Sequence, residues 1–257
     1  MTPAAFGADL ELAERAARVA ADLLMDYYGR PPEGLGSKSS ATDLVSDADR
    51  EAERLIRELL AGERPDDGLL AEEGSDVSAA SGRRWLVDPL DGTVNFLYGF
   101  PAWAVSVALE DAEGVAVGVV LDPVADECFT AVRGEGARLN GAPASVTGET
   151  DLGQAMVATG FSYEPERRAH QAELLLDVLP RVRDIRRAGA AALDLCYVAV
   201  GRVDAYYERG LNEWDWAAGR LILEEAGGVV ADLDGDPHGL VGAATIELQE
   251  ALLELVR

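Results

Sequence analysis

The sequence predicts a mixed chain of the α/β (α+β) class, and three observations carry that reading. Helical periodicity opens the chain, short β-rich runs broken by Gly, Pro and Asp fill its middle, and helices alternate with strands towards its end. With 257 residues, 48% of them hydrophobic, the chain can bury a substantial core. It reads as a single unit over 1–257, with an N-terminal α+β half of about 1–145 and a C-terminal α/β half of about 146–257.

Leu10, Leu12, Ala16, Val19, Ala20, Leu23, Leu24 and Tyr27 recur at helical spacing until Gly29, Pro31 and Pro32 end the pattern. A second helix begins near "SDADREAERLIRELL". There Ser46 and Asp49 have capping-box spacing, and Leu55, Ile56, Leu59 and Leu60 form the apolar stripe; it stops before Pro65. From "GLLAEEG" to "ECFTAVRGEGARLNG" the short runs read as an antiparallel meander, with "SDVSAASGRR" as a polar loop. After Asn140 the order expected is a helix in "AHQAELLLDVLPRV", a strand near "DIRR", a helix over "AAALDLCYVAVG", a strand in "VDAYYE" and a helix in "WDWAAGRLILEEAGG". Strands in "GGVVADL" and "GLVGAAT" and a last helix "IELQEALLELV" follow.

A formal charge of −25 disfavours nucleic acid and anionic membrane, whose binding needs clustered Lys and Arg. The first twenty residues hold no apolar signal region and no membrane-length apolar run occurs, so a soluble, cytoplasmic protein is expected. Cys128 and Cys196 lie far apart without metal spacing and read as small core residues. His170 and His238 read as exposed bystanders.

The chemistry concentrates in "WLVDPLDGTVNF". Pro89 should end the strand carrying Leu86 and Val87, leaving Asp88 at its tip and the Leu90 carbonyl free to bind. Gly92 and Thr93 supply a close-approach backbone and a hydroxyl, and a helix starting there would turn its amides towards an anion. Acids beside an anion-binding turn conflict unless a cation lies between them, and oxygen ligands suit Mg²⁺, which bridges to phosphate. "LLAEEG" adds Glu72 after an apolar strand. "EWDWAAG" adds Asp215, which by itself reads sooner as a helix cap than as a ligand.

Together these residues resemble the inositol monophosphatase family, the Mg²⁺-dependent, lithium-sensitive phosphomonoesterases. "WLVDPLDGTVNF" and "WDWAAGRLILEEAGG" stand in the family's order, with "EEG" upstream and "GRVDAYYE" before the second signature. The resemblance covers nearly the whole chain. It implies a layered αβαβα sandwich of the inositol monophosphatase and fructose-1,6-bisphosphatase type. It also implies a hydrolase that takes two or three Mg²⁺ per active site. By position, Glu72, Asp88, Asp91 and Asp215 match the metal carboxylates, with the Leu90 carbonyl as a further ligand, and Gly92 and Thr93 match the phosphate-binding turn. Asp49, Thr93 and Glu72 match the residues that handle the attacking water, and Lys38 in "KSSATDLVSDAD" lies by resemblance near the third metal or the phosphate. Asp49 also reads as a helix cap, Lys38 as a solvated cation, and Glu73 as surface charge.

"GTVNF" resembles the inositol or sugar phosphatase branch, and Glu208, seven residues before Asp215, matches the acid that accepts from polyol hydroxyls. Where the family usually carries a hydroxyl, in "GSAALDL" or "GTAA", this chain has Ala190, leaving amides near Gly189 and Ala191 for the substrate. The activity implied is hydrolysis of a small polyol or sugar phosphate, first inositol 1-phosphate. The alternatives are fructose-1,6-bisphosphatase or histidinol-phosphatase activity and a non-catalytic regulatory binding role. Arg186 and Arg187 read either as phosphate contacts or as partners of surface acids. A homodimer is implied, with "FLYGFPAWAVSV" as interface or core.

Overall fold

The computed structural model of the chain describes residues 6–30, 36–37, 44–45, 47–235 and 237–257. Helix α1 (Gly7–Tyr27) turns Leu12, Ala16, Ala20 and Leu24 inward at spacings of four, which places them on one buried face; Val19 lies off that face and is exposed. After the short pair β1 (Gly36–Ser37) and β2 (Leu44–Val45) comes α2 (Asp47–Glu63). Its buried face is Ala48, Asp49, Ala52, Glu53, Ile56 and Leu60, while Leu55 and Leu59 are half-buried at its edge. Ser46 lies outside the described residues.

Eight strands follow: β3 (Gly68–Ala71), β4 (Asp76–Val77), β5 (Arg84–Asp91), β6 (Ala104–Asp111), β7 (Gly114–Asp122), β8 (Glu127–Val132), β9 (Ala137–Leu139) and β10 (Ala142–Pro143). They form one sheet in the order β10-β9-β8-β7-β6-β5-β3-β4, and the five-residue helix α3 (Thr93–Leu97) interrupts them after β5. The sheet is a meander with one exception. Strands β3 and β5 run parallel, because the chain crosses between them through β4 and a loop rather than a hairpin.

A second sheet holds β11 (Met156–Thr159), β12 (Asp184–Arg186), β13 (Ala205–Arg209), β14 (Val229–Leu233) and β15 (Gly239–Ala243) in the order β12-β11-β13-β15-β14. Strand β11, pairing parallel with both β12 and β13, is not expected from the sequence: "MVAT" is only four residues long, and its two branched residues, Val157 and Thr159, are too few to establish a period. Helix α4 (Pro165–Val178) begins earlier than expected, at a proline that suits a first turn, and α5 (Ala191–Ala199), α6 (Glu213–Glu225) and α7 (Ile246–Val256) complete the chain.

Five layers result. Helices α1 and α2 cover one face of the large sheet and α5 and α6 the other; α5 and α6 also back the small sheet, whose far face carries α7 with α4 beside it. The middle core contains Leu86 and Phe129 from the first half beside Leu193, Tyr206 and Leu223 from the second. Gly118 on β7 lets α6 approach to backbone contact, since a Cβ there would lie 2.9 Å from the Ala218 carbonyl oxygen. This αβαβα sandwich aims the end of β5 and the first turns of α3, α5 and α6 at one cavity.

Candidate active site

Strand β5 does not stop at Pro89. It continues to Asp91, with a register shift between the pairs Asp88–Ser106 and Asp91–Ala104. Proline is tolerated in such a bulge because no ladder bond is asked of it, and the bulge turns both flanking acids towards the cavity. The Leu90 amide donates to Asp88 Oδ1 at 3.0 Å. Gly92 follows at φ +90°, where a Cβ would meet the Ala102 carbonyl oxygen at 2.9 Å, so the turn into α3 requires glycine.

The cavity, about 360 Å³, is lined by Glu72, Asp88, Leu90, Asp91, Gly92, Thr93, Gly189, Ala191, Glu208 and Asp215, among others. Thr93 Oγ1 lies 3.1 Å from Asp49 Oδ1 and 3.1 Å from the Leu90 carbonyl oxygen. One hydroxyl hydrogen cannot serve both acceptors. Donated to buried Asp49, it leaves a Thr93 lone pair and the Leu90 carbonyl available to ligands. Asp91 receives the amides of Ala191 at 3.2 Å and Ala192 at 2.7 Å from the first turn of α5. The Ala191 amide is therefore given to Asp91 and not left for a substrate; Ala191 brings wall, not donor.

Asp215 does not cap α6 as its first residue. Asn212 precedes that helix, and its amide donates to Asp215 Oδ2 at 2.6 Å. The helix thus fixes Asp215 with one oxygen and leaves the other to the cavity. Glu208 is held differently: Tyr206 donates its hydroxyl to Oε2 at 2.6 Å, and the carboxylate folds over Gly160 so closely that any side chain there would collide with it. Lys38 lies outside the described residues. Of the two adjacent arginines, Arg186 pairs with Asp184 at 2.6 Å on the surface, whereas Arg187 lines the cavity. His170 is exposed and His238 lies on a loop, both away from the cavity, and both cysteines are buried.

The electrostatics are those of acids held against their preference. Burial, then the charges of Glu72, Asp91 and Asp215, push Asp88 well above the usual carboxylate range, and it shares a hydrogen bond with Glu72. Burial raises Asp91 to about 7 against the opposing amide of Ala192, with Glu72 adding to the rise. Asp215 is raised by burial and then by Glu72. Burial also raises Glu208, opposed by the Tyr206 hydroxyl and Arg187. Among the described residues no three acidic, thiol or imidazole side chains are drawn into a ready cage for an ion. What the cavity offers is hard oxygen, carboxylates and a main-chain carbonyl, and no lining residue is Cys or His. That donor chemistry fits a hard divalent cation, which would relieve the mutual repulsion.

Several residues that support the site, of which only Gly160 lines the cavity, carry no signal in the sequence. Asn95, inside the quoted motif, donates to the carbonyls of Ala102 at 2.6 Å and Ala188 at 2.9 Å, tying the β5–β6 connection to the loop before α5. Asp194, 1% exposed on α5, is raised by burial, then by Glu208 and Asp91. Tyr206 and Gly160 shape Glu208 from a neighbouring position and a neighbouring strand end, a relation visible only once β11 and β13 pair.

A five-layer sandwich that gathers acids, a threonine hydroxyl and a glycine turn at a strand end defines the class: a phosphomonoesterase. The chain matches the inositol monophosphatase family over residues 8–257. It is 48% identical over 200 residues to an inositol-1-monophosphatase of Mycobacterium bovis, covering 74% of this chain and 69% of that one. It is 41% identical over 228 residues to the Nus factor SuhB of Pasteurella multocida, covering 88% and 85%. Among solved structures, the extragenic suppressor protein suhB of Bartonella henselae superposes with a TM-score of 0.90 at 37% identity, covering 98% and 99% of the two chains. The chain belongs to the inositol monophosphatase family.

Proposed function

We propose that the protein hydrolyses a small polyol or sugar phosphate monoester with the help of Mg²⁺, inositol 1-phosphate being the substrate the site suits best. The observation that carries this reading is Glu208. Tyr206 occupies one of its oxygens, and the other is left facing the cavity that holds the acids and Thr93. A carboxylate so placed accepts from a hydroxyl of the alcohol while the phosphate lies at Gly92 and Thr93. An ester lacking that hydroxyl leaves a half-buried acceptor without a donor.

The residues that would hold the cations are Glu72, Asp88, Asp91, Asp215 and the Leu90 carbonyl. Bound there, Mg²⁺ supplies charge neutralisation for the phosphoryl oxygens and an acidified water. The chain's own work is orientation. Asp49 accepts the Thr93 hydrogen, so Thr93 Oγ1 accepts from the attacking water and points it at phosphorus. Ala191 and Ala192 hold Asp91 in a fixed rotamer, and the Asn212 amide does the same for Asp215. Ala190, buried at the start of α5, contributes no hydroxyl. Arg187 on the rim favours a second anionic group and with it fructose 1,6-bisphosphate as an additional substrate. Histidinol phosphate, whose ammonium would face Glu208, is the remaining catalytic alternative.

The two halves, about 1–145 and 146–257, act as one unit in this reading because the cavity takes walls from both. A homodimer is favoured by Tyr98 and Phe100, 80% and 53% exposed, in the same stretch whose Trp103 is fully buried. Among the described residues no helix is long and apolar enough to cross a membrane.

The name Nus factor carried by the Pasteurella relative favours a second reading, a regulatory binding role, which the charge of −25 directs towards protein rather than nucleic acid. Mg²⁺-dependent phosphate release from inositol 1-phosphate, fructose 1,6-bisphosphate, histidinol phosphate and adenosine 3′,5′-bisphosphate separates the readings. Inositol 1-phosphate should be turned over fastest. No release from any of the four would leave the binding role.

A further inference from the structure

Helix α2 carries two buried acids one turn apart. Asp49 reaches Thr93; Glu53, four residues later on the same face and 6% exposed, reaches somewhere else. Its carboxylate is met by three donors from the turn that follows β3. The Glu73 amide donates to Oε2 at 2.6 Å, and the Ser75 amide and hydroxyl donate to Oε1 at 3.1 and 2.7 Å. A buried carboxylate that collects three donors is both strongly held and strongly holding.

The turn it holds is the one that presents Glu72. Strand β3 ends at Ala71, and the chain then reverses through Gly74 at φ +116°, closed by the Gly74 amide on Ala71 at 3.3 Å. Glu72 donates its amide to the Val87 carbonyl at 3.2 Å, and its carboxylate shares a hydrogen bond with Asp88. The sheet fixes Glu72 on one side, and on the other the path of the turn is fixed by Glu53, which pins both Glu73 and Ser75.

We propose that Glu53 is a positioning residue that clamps the Glu72 turn to the helix bearing Asp49. By doing so it sets the spacing between the cation-holding acids and the water-orienting pair. The proposal rests on the reading of Glu72 as a cation ligand given above. Glu53 touches neither substrate nor cation. It acts through Glu72.

Isothermal titration of Mg²⁺ into the full chain, with phosphate release measured against Mg²⁺ concentration, tests this. Glu53→Gln exchanges one acceptor oxygen for an NH₂ group that faces another N–H. It should weaken Mg²⁺ binding about 10-fold or more, as loss of an outer partner of a ligand does, with the substrate KM at saturating Mg²⁺ unchanged. Ser75→Ala deletes one of the three bonds and should weaken Mg²⁺ by roughly 3-fold; it carries the test if Glu53→Gln does not fold. Leu252→Ala, in the fully buried core under α7, serves as the control: it lowers thermal stability and should leave Mg²⁺ affinity alone. Wild-type Mg²⁺ affinity in the folded Glu53 and Ser75 variants would overturn the proposal while sparing the site. A wild-type chain that binds no Mg²⁺ would overturn both.

Discussion

Asp9 and Asp91 are both buried aspartates, 3% and 8% exposed, and the fold treats them in opposite ways. Asp9, on α1, is matched by two arginines: Arg64 at 2.9 Å and Arg83 at 2.8 Å. Asp91 receives two amides and, among the described residues, no ion pair; its nearest charged company is acidic. An acid that serves folding arrives with its cation, because a buried charge is otherwise too costly. An acid that serves a ligand is left short of one, and the deficit is the binding site. A related contrast separates Glu53, satisfied by three neutral donors, from Asp88, raised by burial and its neighbours.

Paired substitutions break this comparison most directly. Asp91→Asn should lower kcat by about 10³-fold or more. It should change thermal stability without Mg²⁺ by no more than about 1 kcal/mol, because the relief of burying and crowding a charge offsets the one amide of Ala191 or Ala192 that then faces an NH₂ group. Asp9→Asn should do the reverse, costing about 2 kcal/mol of stability by leaving two arginines poorly matched, with kcat retained. Unfolding curves and kcat on both variants decide it. An active Asp91→Asn, or an inactive but stable Asp9→Asn, would erase the distinction.

Thr93→Val keeps shape and removes the hydroxyl that lies between Asp49 and the Leu90 carbonyl. A loss of roughly 10²-fold in kcat with little change in KM is expected, because the lost contact orients water rather than substrate. A change confined to KM would move Thr93 from the water to the phosphate.

Acidity sharpens the contrast further. Asp91 is raised from 3.8 to about 7, so between those values the folded, cation-free chain holds more protons than the unfolded one. Stability must then fall as pH rises through that window. Asp88 and Asp215, raised in the same direction, add to the slope. Melting temperatures without Mg²⁺ should decline by several degrees from pH 5 to pH 7.5. The increment that Mg²⁺ restores should grow over the same range, since the cation competes with those protons. A flat profile with EDTA would mean that neither burial nor the neighbouring acids raise these carboxyls.

The long helices α1 and α2 were legible because each carries a stretch of 3.6-residue periodicity and a clear stop, as α1 does at Gly29, whereas α4, which buries only Val178, was misplaced at its start. The strands were legible where branched residues cluster, as in β7, and illegible in β11, whose four residues hold only Val157 and Thr159 and are too few to set a period. The acids of the site were legible through motif company, since Asp88 and Asp91 flank a proline and Asp215 lies between tryptophans. Their partners were not. Glu53 is an ordinary helical glutamate in the sequence and becomes exceptional only when α2 lies beside the turn after β3. The parallel pairing of β3 with β5, which brings Glu72 level with Asp88, likewise has no local signature. The Ala191 amide could be expected at the cavity but not that Asp91 would claim it.

Glu208 stands between the two extremes. A neighbouring hydroxyl, not a cation, holds it: Tyr206 supplies one hydrogen bond at 2.6 Å, and Arg187 lies close enough to oppose the upward push of burial. Glu208→Gln is the mildest way to probe it. The amide oxygen still accepts from Tyr206, and the new NH₂ replaces an acceptor by a donor at the cavity. A substrate hydroxyl can answer either partner, so the expected loss in kcat/KM is only about 5- to 10-fold, near 1 kcal/mol. The loss should appear with inositol 1-phosphate and vanish with phenyl phosphate, which has no hydroxyl to offer. An equal loss on both esters would show that Glu208 works through the charge of the whole cavity, as Asp91 does, and not by reading the alcohol.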